Sequence, residues 1–370
     1  MIEVFKPSMG KAEIDAVSEV LLSGWIGLGP KTAQFEKLFA EYIGVERAIG
    51  VNSATAALDL AVKLLDIHHG DEVIVPTMTF VSTAHAVVYN LAAPIFADCD
   101  ERTLNFDLDD VKRKITRKTK AIIPVHYGGR PVDMDALKDI AGTIPIIEDA
   151  AHACGASYKG RKCGSLGDLG TFSFHAVKNL AMGDGGCITT DNEEWHERAK
   201  KLRWLGIDKG TWDRTGLDKS YWWHYFVDEV GLKCHMNDIM ASIGLVQLQR
   251  LDAMNARRKE IADEYYKGLS DISEIDLPLP DDETYRSSWH IFHIKTQKRD
   301  DLSLYLRENG INTGVHYTPI HTYSCYGNRP SLPVSERLSR VILTLPLFPD
   351  LTNEQVDKII TTIWNFFGRK

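Results

Sequence analysis

The feature that most constrains the fold of this sequence is a regular alternation of short apolar runs with helical patterns. Six runs rich in valine, isoleucine or phenylalanine, each bounded by glycine, aspartate or proline, lie at residues 48–51, 72–75, 94–97, 121–125, 145–147 and 170–174. A seventh run, at residues 187–190, precedes the helical pattern of residues 193–202. Strands that alternate with helices are typical of βαβ units. The pattern therefore predicts an α/β fold built on a largely parallel sheet.

A long helical pattern at residues 237–267 leads into a C-terminal part of different character. That part mixes helical and strand patterns, which is typical of an α+β unit. We place a boundary inside the long helix, which gives a large α/β domain at residues 1–245 and a smaller C-terminal α+β domain at residues 246–370. We expect the N-terminal arm, residues 1–25, to pack on the small domain.

Composition and charge argue against several classes of protein. The formal net charge of -8, with lysines and arginines scattered along the chain, disfavours non-specific nucleic-acid binding. No apolar run approaches the roughly 18 residues of a membrane span, and the start of the sequence lacks the pattern of a signal peptide. The six cysteines show no C-x-x-C spacing and the thirteen histidines no H-x-x-x-H spacing, so neither predicts a metal site. We expect a cytoplasmic protein with free, mostly buried thiols.

Small residues, two of them with hydroxyl groups, follow the first apolar run. After residues 48–51 come Asn52 and then Ser53, Ala54 and Thr55, where a helix is expected to begin. The first turn of a helix has free backbone N–H groups and the positive end of the helix dipole, which together bind phosphate. The same pattern also arises when Ser53 simply caps the helix. It therefore indicates a phosphate site only in combination with other features.

Two acidic residues, Glu148 and Asp149, end the apolar run at residues 145–147. A carboxylate at the end of a buried strand is costly unless a cation meets it. A protonated pyridine nitrogen is such a cation, and a carboxylate beside it keeps the ring able to draw electrons from a reacting carbon. The alternative is that Asp149 caps the next helix.

Lys178 closely follows the run at residues 170–174 and precedes a glycine-rich turn at residues 183–186. A lysine in this place is expected to lose part of its hydration, which lowers its pKa and frees the amine for Schiff-base chemistry. Most single lysines are ordinary surface residues. A catalytic lysine is favoured here by the order of the features, because the phosphate cradle and the Asp149 carboxylate both precede it, the latter by 178 − 149 = 29 positions.

Phe80 follows the run at residues 72–75, again where a strand gives way to a helix. An aromatic ring in that place can stack on a planar cofactor. A buried core phenylalanine is the more common meaning of such a residue, so this interpretation depends on the other three features.

These features lie within motifs that resemble a known family. In chain order, the sequence contains SGWIGLGP, NSATAALDLAV, GDEVIVPTMTFVSTAHAV, IIEDAAHACGASYKGRKCGSLGD, TFSFHAVKNLAMGDGG and INTGVHYTPIH. It resembles the DegT/StrS-type nucleotide-sugar aminotransferases, which depend on pyridoxal 5'-phosphate (PLP) and have PLP fold type I. The resemblance implies an aspartate aminotransferase-like fold with a large, mainly parallel seven-stranded sheet. It also implies that the cofactor cycles between PLP and pyridoxamine 5'-phosphate.

The resemblance further implies a role for each site residue. Lys178 would hold the cofactor covalently and then move protons, and Asp149 would pair with its pyridine nitrogen. The other cofactor contacts implied are Ser53, Ala54, Thr55 and Ser173 at the phosphate, Phe80 stacked on the ring, and His152 at the ring oxygen. A segment at residues 232–237 matches one that reaches the phosphate of the partner subunit in the family, through Lys233, His235 or Asn237. A homodimer with shared active sites is therefore implied.

For the substrates, the resemblance implies L-glutamate as the amino donor and a nucleotide-linked keto-deoxysugar as the acceptor, with amination at C4 favoured over C3. The residues expected to contact the substrate are Trp25, His316, Tyr317, Arg214 and Lys219. Two departures from the family pattern are Ala54, where glycine is usual, and Asp184, where glutamate is usual. Because alanine still offers its N–H group at a helix start, we expect phosphate binding to survive.

Three alternatives stay open at the level of the sequence. One is a PLP-dependent dehydratase or lyase, although Lys178 stands where a dehydratase branch of the family has histidine. A second is an aminotransferase that acts on a cyclitol ketone. The third is a catalytically silent PLP-fold protein with a regulatory role, which the intact set of Lys178, Asp149 and Ser53 disfavours.

Overall fold

The computed structural model describes residues 1–208, 225–327 and 330–368. Its helices are α1 (Lys11–Ser23), α2 (Pro30–Ile43), α3 (Ala54–Leu64), α4 (Ser82–Tyr89), α5 (Leu108–Lys114), α6 (Met134–Ala141), α7 (Glu193–Leu202), α8 (Asp238–Leu269), α9 (Arg299–Glu308), α10 (Pro333–Leu338) and α11 (Asn353–Phe366). Its strands are β1 (Arg47–Val51), β2 (Glu72–Pro76), β3 (Ala93–Ala97), β4 (Thr119–Ile122), β5 (Ile147–Asp149), β6 (Ser157–Tyr158), β7 (Arg161–Lys162), β8 (Leu169–Ser173), β9 (Gly186–Thr190), β10 (Tyr285–Arg286), β11 (Phe292–Lys295) and β12 (Ile342–Leu345). Short 3-10 turns occupy Tyr127–Gly129, Ile320–Thr322 and Ser324–Tyr326.

Within the described residues, two groups of strands, β3-β2-β4 and β5-β8-β9-β1, join edge to edge into one central sheet of seven strands. Strands β4 and β5 are joined by two parallel bridges, Ile122–Ile146 and Val125–Asp149. Strand β9 runs antiparallel to both of its neighbours, and every other pairing in this sheet is parallel. The prediction of a mainly parallel, seven-stranded sheet is confirmed.

Two predicted strands, at residues 121–125 and 145–147, differ from the strands of the structure by more than one residue at their ends. The run at residues 121–125 becomes a strand that ends at Ile122, shortly before Pro124, which has no N–H to donate to the sheet. The run at 145–147 becomes β5, whose last residue is Asp149, and Asp149 donates its N–H to the carbonyl of Pro124 at 2.8 Å. The shift places the Asp149 side chain at the very end of the strand.

The apolar core has separate parts. Aromatic side chains pack edge to face beneath one side of the sheet, with Phe39 contacting both Phe172 and Phe174. A different cluster, which includes Tyr265 and Leu345, lies among the C-terminal half of α8, β11, β12, α9 and α11. Helix α8 contributes to both kinds of core along its 32 residues. The division of the chain at residue 245 stays a prediction.

The N-terminal arm lies against this C-terminal core. The backbone of Ile2 exchanges hydrogen bonds with residues 310–312, and the carbonyl of Val4 accepts the N–H of Leu347 at 3.0 Å. Ser8 donates its hydroxyl to Asp350 at 2.8 Å. These bonds hold residues 2–8 in an extended path over the C-terminal part of the chain before α1 begins.

A buried carboxylate fixes the loop that faces the end of β5. Glu148 accepts hydrogen bonds from the backbone N–H groups of Gly164, Leu166 and Gly167, and from Nε2 of His126 at 2.8 Å. Burial alone would raise the pKa of Glu148, but these hydrogen bonds hold it below its ordinary value. Glu148 therefore acts as a structural anion beside Asp149.

The same hydrogen bonds account for a trio of potential metal ligands. Ligand atoms of His126, Glu148 and Cys163 lie within 4.8 Å of one another. Nδ1 of His126 accepts the N–H of Val132 at 3.1 Å, and its Nε2 is committed to Glu148. The imidazole and carboxylate atoms that a metal ion would need already have partners.

All six cysteines are free, and each except Cys325 is buried, as the sequence predicts. Gly314 forms an isolated bridge with Thr344. None of the helices in the described part of the chain combines the length and the apolar character that a membrane span requires.

Candidate active site

The carboxyl ends of the central strands open onto a cavity of about 330 Å³. The residues expected from the sequence that line it are Ser53, Ala54, Thr55, Phe80, Asp149, His152, Ser173, Lys178, His316 and Tyr317. The fold thus brings together motifs that are far apart in the chain, as expected for a site at one edge of an open α/β sheet.

The N-terminus of α3 forms a cradle with free donors. Ser53 caps the helix, because its Oγ accepts the N–H of Ala56 at 3.1 Å, so capping and phosphate binding are compatible interpretations. The Thr55 and Ser82 hydroxyl oxygens lie 2.7 Å apart beside it. A Cβ atom at Gly186 would lie 2.4 Å from the carbonyl of Ser53, so a glycine is needed for this close approach.

Asp149 is 4% exposed and ends β5 at the cavity. Its Oδ2 accepts the Thr83 hydroxyl at 2.8 Å, and its Oδ1 accepts the N–H of Ala151 at 3.2 Å. Burial raises its pKa, although these hydrogen bonds and the nearby Lys178 charge oppose the change. Residues 150–156 form turns instead of a helix, so the helix-cap alternative is wrong. A buried carboxylate of this kind is stabilised by a cation placed against it.

Lys178 lies in the loop after β8, partly covered by protein and partly facing the cavity. Burial of its amine lowers its pKa to about 8, while the negative charge of Asp149 acts in the opposite direction. Its Nζ lies 3.4 Å from Nε2 of His290. An amine with such a pKa is partly neutral near physiological pH and is therefore available as a nucleophile.

His152 presents an unsatisfied nitrogen beside the cavity. Its Nε2 lies 2.9 Å from the hydroxyl of Tyr317, and the two rings are nearly parallel at 5.9 Å. Its Nδ1 is buried and has no hydrogen-bond partner among the described residues. Burial, and then the charges of Lys178 and His316, hold the pKa of His152 well below its ordinary value. The ring is therefore neutral and has a polar atom left for a ligand.

Phe80 is not a core residue. Its side chain is 58% exposed, it lines the cavity, and its ring lies 6.4 Å from that of Tyr317. The alternative of a buried core phenylalanine is wrong, and stacking on a cofactor ring stays a prediction.

Sequence reasoning missed Thr83, His175 and His290. Thr83 lies four positions after Thr79, which precedes α4, and the hydroxyls of the two are 2.9 Å apart, so the spacing of the two threonines was the available signal. His175 lines the cavity from the same loop as Lys178. For His290 there was no local signal, because 112 positions separate it from Lys178.

Other predicted site residues lie away from the Lys178 cavity within this chain. Trp25 and His235 line a second cavity of about 270 Å³, and Nζ of Lys233 lies 5.0 Å from the ring of Trp204. Asn237 caps α8 by accepting the N–H of Met240 at 2.9 Å. Arg214 and Lys219, the two predicted pyrophosphate contacts, lie outside the described residues.

Comparison with known proteins identifies the family of this chain. A sequence profile described as the DegT/DnrJ/EryC1/StrS aminotransferase family matches residues 7–364. The chain belongs to this family. The spore coat polysaccharide biosynthesis protein SpsC of Bacillus subtilis (strain 168) is 40% identical to it over 371 residues, which cover 96% of this chain and 95% of SpsC.

Solved structures of family members share the fold closely. The aminotransferase TlmJ from Streptoalloteichus hindustanus is 38% identical and superposes with a TM-score of 0.94 over 100% of this chain and 99% of TlmJ. The PLP form of Spr1654 from Streptococcus pneumoniae is 34% identical to this chain, with a TM-score of 0.90 over 97% of both chains. Spr1654 has also been solved with pyridoxamine 5'-phosphate, its PMP form.

This DegT-family protein is therefore a PLP-dependent sugar aminotransferase of PLP fold type I. Its cofactor alternates between PLP and pyridoxamine 5'-phosphate, the two forms solved for Spr1654. It uses a sugar substrate and an amino donor.

The cavity residues fit this cofactor. Free N–H groups and hydroxyls at the start of α3 suit a phosphate, and the buried Asp149 carboxylate suits a protonated ring nitrogen. The unsatisfied Nδ1 of His152 suits a polar atom on the ring, and the Lys178 amine suits an aldehyde. When bound, PLP supplies a conjugated ring that withdraws electrons from the carbon bearing the amino group.

The lowered pKa of Lys178 predicts how cofactor attachment depends on pH. Only the neutral amine attacks an aldehyde, and a pKa of about 8 means that this form is gained as the pH rises through about 8 and lost below it. We expect the rate of covalent PLP attachment to the apoprotein to have a midpoint near that pH, measured by stopped-flow absorbance. An Nα-acetyl-lysine control should titrate near 10.4. A midpoint near 10.4 in the protein itself would show that the amine is fully hydrated.

Proposed function

We propose that this DegT-family enzyme moves the amino group of L-glutamate to the keto carbon, C4 in preference to C3, of a nucleotide-linked deoxysugar. The two half-reactions alternate, so that the donor leaves before the sugar binds. The observation that carries the proposal is the shared cavity of Lys178, Asp149 and the α3 cradle. A nucleotide-linked sugar is supported by the name of SpsC, a polysaccharide biosynthesis protein at 40% identity.

In this proposal each residue has a distinct task. Lys178 would be the general acid and base, because burial lowers the pKa of its amine to about 8, so that the amine can both take up and release a proton near neutral pH. Asp149 would hold the cofactor by its protonated ring nitrogen, and the hydroxyl of Thr83 fixes the orientation of the Asp149 carboxylate. His316 and Tyr317 contact the sugar, since both line the cavity.

A charge imbalance supports a homodimer with shared sites. The described residues that line the cavity include one lysine, Lys178, and no arginine. The cofactor and both proposed substrates, in contrast, carry negatively charged phosphates or carboxylates. Further cations must come from elsewhere. We propose that Lys233 of a second copy supplies one, with His235 or Asn237 nearby, and that Arg214 and Lys219 contact the pyrophosphate.

Exposed apolar side chains beside Lys233 support the same arrangement. Val230 is 82% exposed, and Leu232, next to Lys233 in the chain, is 40% exposed. Large apolar side chains that face water in a cluster are typical of protein–protein interfaces. A second copy that covered them would also bring its Lys233 to an interface, where it can reach a neighbouring site.

The test is a two-step reaction followed by absorbance. Adding glutamate to the PLP-loaded protein should convert the visible band to that of the pyridoxamine form, with one equivalent of 2-oxoglutarate released. UDP-, dTDP- and GDP-linked 4-keto-deoxysugars should then be added separately, with 3-keto isomers as matched controls. We expect one 4-keto sugar nucleotide to restore the band, and NMR of the product should place nitrogen on C4.

The other outcomes identify the alternatives. Product formed without any amino donor would mean a dehydratase or lyase. Restoration by a keto-cyclitol, and not by sugar nucleotides, would mean a cyclitol aminotransferase. No change of the band with any donor would mean a silent protein, and restoration by a 3-keto isomer would move amination to C3.

A further inference from the structure

A histidine from the C-terminal part of the chain contacts the amine of Lys178. Nε2 of His290 lies 3.4 Å from Nζ of Lys178, and among the described residues this is the one hydrogen bond that Nζ makes. His290 is 2% exposed and does not line the cavity. It therefore backs the amine from inside the protein.

Two aromatic rings pack against the ring of His290. Phe5 of the N-terminal arm stacks on it at 5.2 Å with the rings 8° apart, and His152 lies on another side at 4.6 Å. Burial, and then the positive charge of Lys178, hold the pKa of His290 well below its ordinary value. A neutral imidazole can accept a proton from an ammonium group in a hydrogen bond or donate one to a free amine.

The backbone around His290 is tied to the same site. Its N–H donates to the carbonyl of Gly128 at 3.0 Å. The neighbouring Ser288 donates its hydroxyl to the carbonyl of His152 at 2.7 Å, and its own carbonyl accepts Nδ2 of Asn179 at 2.6 Å. His290 thus has little freedom to move relative to the loop that carries Lys178.

We propose that His290 is a positioning residue that holds the ε-amine of Lys178 through Nε2 whenever that amine is not covalently bound. A free lysine side chain has several rotatable bonds. Without a hydrogen-bond partner, its amine would therefore spend much of its time away from the position in which it can exchange a proton with the substrate. The inference rests on the proposed proton-transfer role of Lys178. It assigns His290 no contact with substrate or cofactor.

A pair of variants separates this role from simple packing. His290→Phe keeps a flat ring under Phe5 and loses the hydrogen bond, whereas His290→Gln keeps a polar nitrogen or oxygen near the Nε2 position and loses the stacking. If His290 positions the amine, the glutamine variant should resemble the native protein and the phenylalanine variant should be impaired. A packing role predicts the reverse order. His69→Phe, at an exposed histidine, is the control.

The first readout is the pKa of Lys178 in the apoprotein, from the pH dependence of its acetylation followed by peptide mass spectrometry. Besides His290, the groups that influence Lys178 are Asp149, His152 and His316, and these are the same in every variant. In His290→Phe, the ammonium form of Lys178 loses a hydrogen bond that stabilises it. The acid dissociation constant of Lys178 should therefore rise about tenfold, which means a lower pKa. It should change by less than about threefold in His290→Gln.

The second readout is the glutamate half-reaction in single turnover. We expect its rate constant to fall about 10²-fold in His290→Phe with the glutamate affinity unchanged, and to recover in His290→Gln. Because acetylation needs neither cofactor nor substrate, failure of this inference can be told apart from failure of the proposed substrates. Native-like behaviour of His290→Phe in both readouts would overturn the inference.

A measurement on the native protein does not depend on whether the variants fold. In native apoprotein with ¹⁵N-labelled histidines, a ring-nitrogen signal assigned to His290 should shift with a midpoint of about 8, as Lys178 titrates. A signal that does not change across that pH range would show that the two groups are not hydrogen bonded, and would overturn the inference even if both variants misfold.

Discussion

Lys178→Ala is expected to abolish covalent attachment of PLP and to lower turnover by more than about 10⁴-fold, because general acid–base transfer alone contributes about 10² to 10⁴-fold and the covalent anchor is lost as well. Lys178 is the lysine among the described residues that line the cavity, so no lysine of that lining can replace it. The measurement is the visible spectrum after loading with PLP, together with the rate of 2-oxoglutarate formation.

Two comparisons make this result specific. Lys37→Ala removes an exposed lysine on α2 and should leave both the spectrum and the rate native. Phosphate-dependent binding of PLP should survive in Lys178→Ala, since the α3 cradle is intact, and equilibrium dialysis can show it. A lysine variant that still forms the covalent band would place the anchor on another residue and remove the basis of the proposed mechanism.

Asp149→Asn is expected to leave PLP covalently attached but to lower kcat by about 10²-fold. Asparagine cannot hold a positive charge on the ring nitrogen, and a hydrogen bond to a charged group contributes about 1.5–3 kcal/mol. The amide also cannot accept from both Thr83 and Ala151 in the way that the carboxylate does. Single-turnover kinetics of each half-reaction would measure the loss.

The matched control is Asp139→Asn, at an exposed aspartate on α6, which should have native kinetics. The absorbance maximum of bound PLP should also shift in Asp149→Asn, because the ring nitrogen loses its proton, and it should not shift in the control. If Asp149→Asn retained more than half of the native kcat with an unshifted spectrum, the partner of the ring nitrogen would have to be sought elsewhere.

The central sheet could be predicted because each strand is a short apolar run of consecutive residues bounded by glycine, aspartate or proline. The runs that became β1, β2 and β8 needed no long-range information, and the residues that follow them had to meet at one edge of a parallel sheet. That topological rule is also why Ser53 and Lys178 line one cavity despite their separation in the chain.

What could not be predicted depends on contacts between distant segments. His290 reaches Lys178 from the C-terminal part of the chain, and its own neighbourhood, SSWHIF, has no catalytic pattern. Thr83 could be placed on a helix but not against Asp149, because that contact depends on the order of strands in the sheet. Trp25 and Lys233 lie away from the Lys178 cavity and close to Trp204, a residue distant from Trp25 in the chain, so no local pattern indicated their place.

Helix α8 has a mechanical consequence for substrate selection. Its 32 residues, about 48 Å of helix at 1.5 Å per residue, run without a break from the apolar packing beneath the sheet to the C-terminal core. A helix packed into both cores resists hinge motion between them, because rotation of one core against the other would have to bend the helix or break its packing. We therefore expect the enzyme to choose its sugar by the preset shape of its walls, with little gain in selectivity from closing around it.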